Sequence, residues 1–231
     1  MKLTMASFRK MIEFTLLHNT DTEKDILDFA QKTRDGGYAC AYVMPCYSAL
    51  MAQQLEGTGI ITGGAVAFPT GAEPIEVKVA MTKYHIGVGC GEIDYVININ
   101  MLKTGKYDFI AEEAKQIVAA AQGRPVKAII EVTLLTDEEI IRVSECLMKA
   151  GVSYIKTGTG TQPKPTTVHH VELIADAIKG GCKIKAAGGI RTLDSVIAMI
   201  KLGVTRFGIS WNSAYAILDE LEQRYPDGVE V

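Results

Sequence analysis

SYIKTGTG, residues 153–160, is a short apolar strand segment that ends in a lysine and continues into alternating glycine and threonine. Burial of a lysine disfavours its charged form and can lower its pKa by several units. A neutral lysine is a nucleophile that can form a Schiff base with a carbonyl group, and the following glycines let backbone N–H groups approach an anion. Lys156 alone could instead extend from the strand end into solvent.

A second stretch of the same kind, KIKAAGGIRT, covers residues 183–192. It again places a lysine, Lys185, at the end of a strand-like run, before the glycine pair Gly188 and Gly189. If the two strands are neighbours, the two lysines lie side by side, and each cation makes the other easier to deprotonate. The pair therefore predicts a reactive site.

Strand-like segments alternate with helix-like segments along the whole chain. The eight predicted strands are Ile12–Leu17, Tyr38–Met44, Ile60–Phe68, Glu92–Asn98, Val126–Val132, the run that ends at Lys156, Lys183–Ala187 and Val204–Ser210. Eight predicted helices follow them, the first beginning after a cap at Thr20 or Asp21. This order predicts the α/β class, with residues 1–231 forming a single-domain (β/α)₈ TIM barrel.

Active residues of such a barrel lie at the carboxyl ends of its strands. Period-two alternation places Asp94 on the inner face of its strand, and a carboxylate in a core strand needs a cation or a hydrogen-bond donor. Lys127 on the next strand could form a structural ion pair with it. With Lys156 and Lys185 at the same mouth, the charges instead favour an acid–base site.

Three glycine-bearing loops are candidates for binding a phosphate group. They are TGTG at 157–160, GGIRT at 188–192 and FGIS at 207–210. Loops after the last strands of a barrel commonly bind phosphate beside a helix N-terminus, although each of these loops could also be a tight turn.

Composition limits the other classes of function. The formal net charge of −3 gives no general attraction for nucleic acid or anionic membranes, and no apolar run is long enough to cross a bilayer. The five cysteines are scattered, which predicts buried free thiols, and the four histidines lack metal-binding spacing. We therefore expect a cytoplasmic protein without a metal site.

The chain resembles the 2-deoxyribose-5-phosphate aldolases from Ile12 to about Ser210. The resemblance rests on six motifs in order: FPTG (68–71), EIDYVIN (92–98), VKAIIE (126–131), IKTGTG (155–160), IKAAGGIRT (184–192) and RFGIS (206–210). It implies a class I aldolase that cleaves 2-deoxy-D-ribose 5-phosphate reversibly to D-glyceraldehyde 3-phosphate and acetaldehyde, with no cofactor. A homodimer or homotetramer is also implied.

The resemblance also implies residue roles. Lys156 would form the Schiff base, Lys185 would lower its pKa and join a proton relay, and Asp94 would be the relay carboxylate. The residues that would hold the phosphate are Gly158, Gly160, Gly188, Gly189 and Ser210, and those in supporting positions are Lys127, Glu13 and Thr15.

Several positions depart from the family pattern. Glu13 replaces the usual aspartate, Gly158 replaces a serine, and Thr161 and Trp211 stand where a basic or aromatic residue and a second serine are common. A related lysine aldolase acting on another aldehyde or sugar phosphate is therefore an alternative. So are a barrel epimerase or isomerase without a covalent lysine, and a binding protein without turnover.

Four further residues have open interpretations. His169 and His170 are expected at a helix start beside the mouth, and Trp211 either walls the phosphate pocket or packs beneath it. Arg191 could reach the phosphate or anchor a helix start through a carboxylate. His18 could face the pocket or lie on a solvated loop.

Overall fold

Eight parallel strands close into a barrel in this computed structural model, which describes residues 2–231. In chain order the strands are β1 (Lys2–Leu3), β2 (Ile12–Leu16), β3 (Cys40–Val43), β4 (Ile61–Val66), β5 (Glu92–Val96), β6 (Val126–Ile129), β7 (Tyr154–Lys156), β8 (Lys183–Ala187), β9 (Val204–Ser210) and β10 (Val229–Glu230). The barrel consists of β2 to β9, and the pairing of β9 with β2 closes it. The predicted (β/α)₈ TIM barrel is confirmed.

Helices follow the barrel strands and surround them. They are α1 (Met5–Arg9), α2 (Glu23–Gly36), α3 (Ser48–Leu55), α4 (Ile75–Gly87), α5 (Ile99–Lys103), α6 (Tyr107–Ala120), α7 (Asp137–Lys149), α8 (Val168–Ile178), α9 (Leu193–Lys201) and α10 (Trp211–Arg224). The helix start predicted at Thr20 or Asp21 is wrong, because Thr22 caps α2 through a reciprocal capping box with Asp25. Thr167 caps α8 in the same way with His170, so the two histidines do lie at a helix start.

The structure contains elements that the eight-unit pattern did not predict. The short strands β1 and β10 form an antiparallel pair, and α1 and α5 are additional helices among residues 2–231. Several barrel strands are also shorter than predicted, since β4 ends at Val66 and β6 at Ile129. The next residues, Ala67 and Ile130, are still apolar, so the hydrophobic pattern alone could not mark where strand pairing stops.

Successive side chains of a barrel strand point alternately into the barrel and outward towards the helices, so the protein has two separate buried regions. On β5, Ile93 and Tyr95 are fully buried in the apolar layer between the strands and the helices, while Asp94 points into the barrel. The apolar layer holds the helices on the barrel, and the barrel interior is left for charged groups.

Two sequence-based statements about the chain as a whole can be compared with the structure. Among residues 2–231, no helix is both long and apolar enough to span a bilayer. All five cysteines are free, but only Cys40 and Cys90 are buried, and Cys46 is exposed. The prediction of buried thiols is therefore wrong for Cys46.

Candidate active site

Lys156 and Lys185 are register partners on the adjacent strands β7 and β8, so their side chains point the same way. Both ammonium groups bind the same atom of Asp94: its Oδ2 lies 2.7 Å from Lys156 Nζ and 2.6 Å from Lys185 Nζ. All three side chains are at least 94% buried. The structure thus places two lysines and one carboxylate, predicted from the sequence, in direct contact.

Tyr42 on β3 completes the coordination of Asp94. Its hydroxyl donates to Asp94 Oδ1 at 2.6 Å and accepts from Lys127 Nζ at 3.0 Å. The ring fits because Gly63 on the neighbouring strand has no side chain, since a Cβ there would lie 2.1 Å from the tyrosine ring. Sequence analysis missed Tyr42, because an aromatic residue in a strand is ordinary core composition.

A second layer of charges lies beneath this group. Lys127 Nζ contacts Glu13 Oε1 at 3.1 Å and Asp94 Oδ1 at 3.5 Å, and it also donates to Glu92. Lys185 donates to the other oxygen of Glu13. Three lysines therefore meet three carboxylates inside the barrel, and their formal charges cancel when all six are ionised.

The ionisation of these groups is uneven. Burial, opposed by Asp94 and reinforced by the Lys185 cation, lowers the pKa of Lys156 to about 8. For Lys185, burial would lower the pKa as well, but Asp94 and Glu13 together raise it. Lys156 is therefore the lysine that most easily becomes a neutral nucleophile, and Lys185 stays charged.

The carboxylates are held in the ionised form. Burial would raise the pKa of Asp94, but Lys156, Lys185 and Lys127 together hold it well below its ordinary value. Lys127 and Lys185 likewise lower the pKa of Glu13 against the effect of its complete burial. Asp94 is consequently a fixed anion that can accept a hydrogen bond or a proton from a neighbouring hydroxyl group.

A cavity of about 270 Å³ opens above Lys156 at the carboxyl ends of the strands. The predicted site residues that line it are Lys156, Thr15, Gly160, Gly188, Gly189 and Ser210. Asp94, Lys185, Glu13 and Lys127 lie below its floor. A small molecule in this cavity would thus contact the amine of Lys156 directly. It would be separated from the other four charged groups by that amine and the cavity floor.

The glycines of the cavity wall have backbones that other residues rarely adopt. Gly188 has φ +93° and Gly189 has φ +75°, and a Cβ on Gly189 would come within 2.6 Å of Pro165. Thr157 holds this wall to β7, because its Oγ1 donates to Ala187 O at 2.7 Å and accepts from Ala187 N at 2.8 Å. The loop that follows Lys156 is therefore fixed to the strand that carries Lys185.

Gly158 lies outside the cavity wall, although the resemblance assigned it to phosphate binding. Glu131, buried and with a left-handed backbone at φ +52°, fills the space where a side chain at 158 would be, 2.7 Å from its Cβ position. Glu131 accepts from Thr159 N at 3.1 Å and from the Thr159 hydroxyl, which contacts the Thr161 hydroxyl at 2.8 Å. Sequence analysis did not assign Glu131 a role; its signal was a carboxylate ending the motif VKAIIE.

The outer end of the cavity is lined by Arg191, His18 and Thr161. Within residues 2–231, Arg191 has no ion pair or hydrogen bond, so it does not anchor a helix start. His18 is exposed and contacts Asp21, 3.3 Å away. Arg191 is therefore a guanidinium group available to an anionic ligand.

Trp211 does not line this cavity. It lies against α2 with Lys32 Nζ 3.9 Å from its ring centroid, in a separate depression. His169 is also outside the cavity, 2.8 Å from Asp137. Neither residue is brought to the lysine pair.

One group of residues has metal-ligand spacing. Among residues 2–231, Glu13, Cys40 and Glu92 offer ligand atoms within 4.8 Å of one another. Both carboxylates already bind Lys127, and burial raises the pKa of the Cys40 thiol well above its ordinary value. The ammonium group of Lys127 thus takes the place that a cation would occupy.

Comparison with known proteins gives a consistent set of relatives. The chain is 36% identical over 233 residues to a deoxyribose-phosphate aldolase from Klebsiella pneumoniae, covering 98% of this chain and 94% of that protein. Among solved structures it is similar to QR15, an aldolase, with a TM-score of 0.87, 34% identity, and 94% and 97% of the two chains covered. A tetrameric deoxyribose phosphate aldolase from Aeropyrum pernix has a TM-score of 0.84 at 27% identity, with 94% and 91% covered. No model of a known protein family matches the chain.

Proposed function

The chain belongs to the deoxyribose-phosphate aldolase family and is an aldolase, and on that premise we propose that it cleaves 2-deoxy-D-ribose 5-phosphate through a Schiff base on Lys156. The products are D-glyceraldehyde 3-phosphate and acetaldehyde, and the reaction is reversible. The observation that carries the proposal is a buried lysine with a pKa of about 8 that faces a cavity and contacts a carboxylate, Asp94, which it shares with the cation of Lys185. These are the conditions under which a lysine amine attacks an aldehyde.

The first half of the reaction forms the covalent intermediate. Neutral Lys156 attacks the C1 aldehyde of the open-chain sugar, and loss of water gives an iminium ion that draws electrons from the neighbouring bonds. The positive charge of Lys185, 2.6 Å from Asp94, adds to burial in lowering the pKa of the Lys156 amine, and Lys185 does not compete for the aldehyde because it lies below the floor of the cavity.

The second half breaks the C2–C3 bond. The C3 hydroxyl loses its proton towards Asp94 through a water molecule, since Asp94 lies below the cavity floor, and its electron pair forms the new aldehyde while the C2–C3 electrons move into an enamine on Lys156. The Tyr42 hydroxyl and the two lysines hold the carboxylate in place by hydrogen bonds of 2.6–2.7 Å. Protonation of the enamine at C2 and hydrolysis then release acetaldehyde and return the free amine.

The outer end of the cavity, where the phosphate group of the substrate would lie, has a different composition from the inner end at Lys156. Arg191, the backbone of Gly188 and Gly189, and Ser210 at the start of α10 are available for a phosphate group. Thr161, at the position where the family commonly has a basic or aromatic residue, lines the same cavity and adds no charge. This supports a second candidate function, a lysine aldolase for a different aldehyde or a less charged sugar.

A trapping experiment tests the covalent step, and a turnover assay tests the substrate. The protein is incubated with acetaldehyde and borohydride, and an adduct on Lys156 is sought by mass spectrometry, with Lys156→Met as the control. Turnover of 2-deoxyribose 5-phosphate is then compared with that of unphosphorylated 2-deoxyribose. No adduct with any aldehyde would contradict the mechanism. An adduct without turnover of the phosphate sugar would contradict only the substrate.

We also propose a homo-oligomer, a dimer or a tetramer, acting on small-molecule aldehydes and sugar phosphates. The solved relative from Aeropyrum pernix is described as tetrameric, which supports an assembly of some kind. The cytoplasmic location and the organisation of residues 1–231 as one domain stay predictions from the sequence.

A further inference from the structure

Helix α4 packs Met81 and Ile86 against the core, but it also buries polar residues and exposes apolar ones. On its barrel side, Lys78, Thr82 and His85 are all 0% exposed, whereas Val77 and Tyr84 on its outer side are 41% and 48% exposed. A helix on the surface of a soluble protein normally buries its apolar residues and exposes its polar ones. The outer side of α4 is therefore built like a surface that another molecule covers.

The exposed residues of α4 form one face. Helical spacing aligns Val77, Ala80 and Tyr84 in a row, and Glu76 and Lys83 flank this row on the same edge. We call these five residues the α4 face. Within residues 2–231, neither Glu76 nor Lys83 makes an ion pair or a side-chain hydrogen bond. Both charges are thus available to a partner.

We propose that the α4 face is the interface between two copies of this chain, with the two α4 helices antiparallel about a twofold axis at Ala80. A twofold axis that is perpendicular to both helices and lies in the plane of the contact reverses the direction of the helix. It leaves each edge of the α4 face opposite the same edge of the other copy. Glu76 of one copy then meets Lys83 of the other, and Val77 meets Tyr84, each pair within about 1.5 Å along the helix axis.

The arrangement of charges is what identifies a second copy as the occupant. Glu76 and Lys83 carry opposite charges at nearly equal distances on either side of Ala80. Each therefore meets its opposite charge when a second copy of the same face packs against it in the antiparallel direction. A C2 interface has this self-complementarity by necessity, whereas an unrelated partner would not require it. The small side chain of Ala80 at the centre allows the two helices to approach closely.

The surface beside the α4 face adds area to the interface. A groove of about 540 Å³ between α3 and α4 is lined partly by small residues, among them Ala49, Ala52, Gly87 and Gly89. A stable dimer buries about 800 Å² on each partner, which is more than one helix face supplies. We include this groove, whose lining is polar as well as apolar, in the proposed contact.

A charge-exchange series tests the pairing. The mass of the full-length protein in solution is measured by analytical ultracentrifugation over a range of concentrations, for the unmodified chain and for E76K, K83E and the double variant E76K/K83E. Each single variant places like charges opposite each other twice per dimer, so we expect its dissociation constant to rise about tenfold. The double variant restores opposite charges and should return to the unmodified value.

Cross-linking tests the position of the axis. In a Cys46→Ser background, Ala80→Cys should form a disulfide-linked dimer on mild oxidation, because the two introduced thiols face each other at the axis. Ala119→Cys, on the exposed side of α6, is the matched control and should stay uncross-linked. Circular dichroism verifies that every variant is folded.

Three outcomes would overturn the proposal. The first is an unmodified chain that is monomeric at high micromolar concentration. The second is an assembly that E76K and K83E leave unchanged, which would place the contact elsewhere. The third is cross-linking of Ala80→Cys no faster than that of Ala119→Cys.

Discussion

Replacing Lys185 with methionine is expected to raise the pKa of Lys156. Burial is the largest influence that lowers this pKa to about 8, the Asp94 carboxylate opposes it, and the Lys185 cation lowers it further. Without Lys185, Asp94 is left with one fewer cation and pairs more strongly with Lys156. The charged form of Lys156 is then favoured, and less neutral amine is present at neutral pH.

The size of the effect can be bounded from the titration of Lys156. With a pKa of about 8, roughly 10% of the amine is neutral at pH 7, whereas with the ordinary lysine value the fraction is roughly 0.03%. The ratio of these fractions corresponds to a loss of rate of about 300-fold if the pKa returned fully to its ordinary value. Because burial still acts in the variant, we expect Schiff-base formation at pH 7 to slow by about 10- to 100-fold.

The assay is the rate of reductive trapping with acetaldehyde and cyanoborohydride, followed by mass spectrometry across a series of pH values. The rate of the unmodified protein should rise with pH around pH 8, and the midpoint for Lys185→Met should lie higher. Lys183→Met is the matched control, because Lys183 is on the same strand but exposed, and its profile should not move. A midpoint for Lys185→Met that stays in place or moves down would refute the electrostatic reasoning.

Three further changes test other parts of the molecule. Thr161→Lys should place a cation at the outer end of the cavity and raise kcat/KM for 2-deoxyribose 5-phosphate relative to unphosphorylated 2-deoxyribose by about two- to fivefold, as for one exposed ion pair, and an unchanged ratio would contradict this. Glu131→Gln should weaken the hydrogen bonds that fix the cavity loop and raise KM more than it lowers kcat in steady-state kinetics; an equal fall in kcat would argue against a positioning role. Glu113 on α6 forms a fully buried ion pair with Lys78 at 2.6 Å, so Glu113→Leu should cost about 3–5 kcal/mol of unfolding free energy in urea titration, because the Lys78 cation would keep only its hydrogen bond to Val96 O. Glu112→Leu, on the exposed side of α6, should cost far less, and equal losses would count against the ion pair.

Sequence patterns were sufficient for the barrel and for the residues at its centre. Parallel strands place register partners side by side, so two lysines at equivalent strand ends, Lys156 and Lys185, had to meet if the strands were adjacent. Alternation in β5 likewise directed Asp94 inward. The catalytic roles assigned to these residues remain predictions, but their placement followed from periodicity together with the strand order of a barrel.

Other parts of the site depended on contacts that a sequence does not encode locally. Tyr42 reaches Asp94 because Gly63 on the next strand leaves room for its ring. Glu131 turns towards Thr159 because its own backbone is left-handed. Trp211 packs outside the cavity, and neither its type nor its position after Ser210 indicated on which side of α10 it would lie.

The inside of the barrel has a consequence for how the chain can be divided. Glu13 near the beginning of the sequence and Lys185 near its end are 172 positions apart, yet each neutralises the other in a space without solvent. A fragment that lacked either end would leave the buried charges of the barrel unbalanced, because Lys127 or Asp94 would have to offset a group that now has one partner fewer, and this costs several kcal/mol. We therefore expect half-barrels of this chain to stay unstructured by themselves, and to regain order only when the complementary half is supplied.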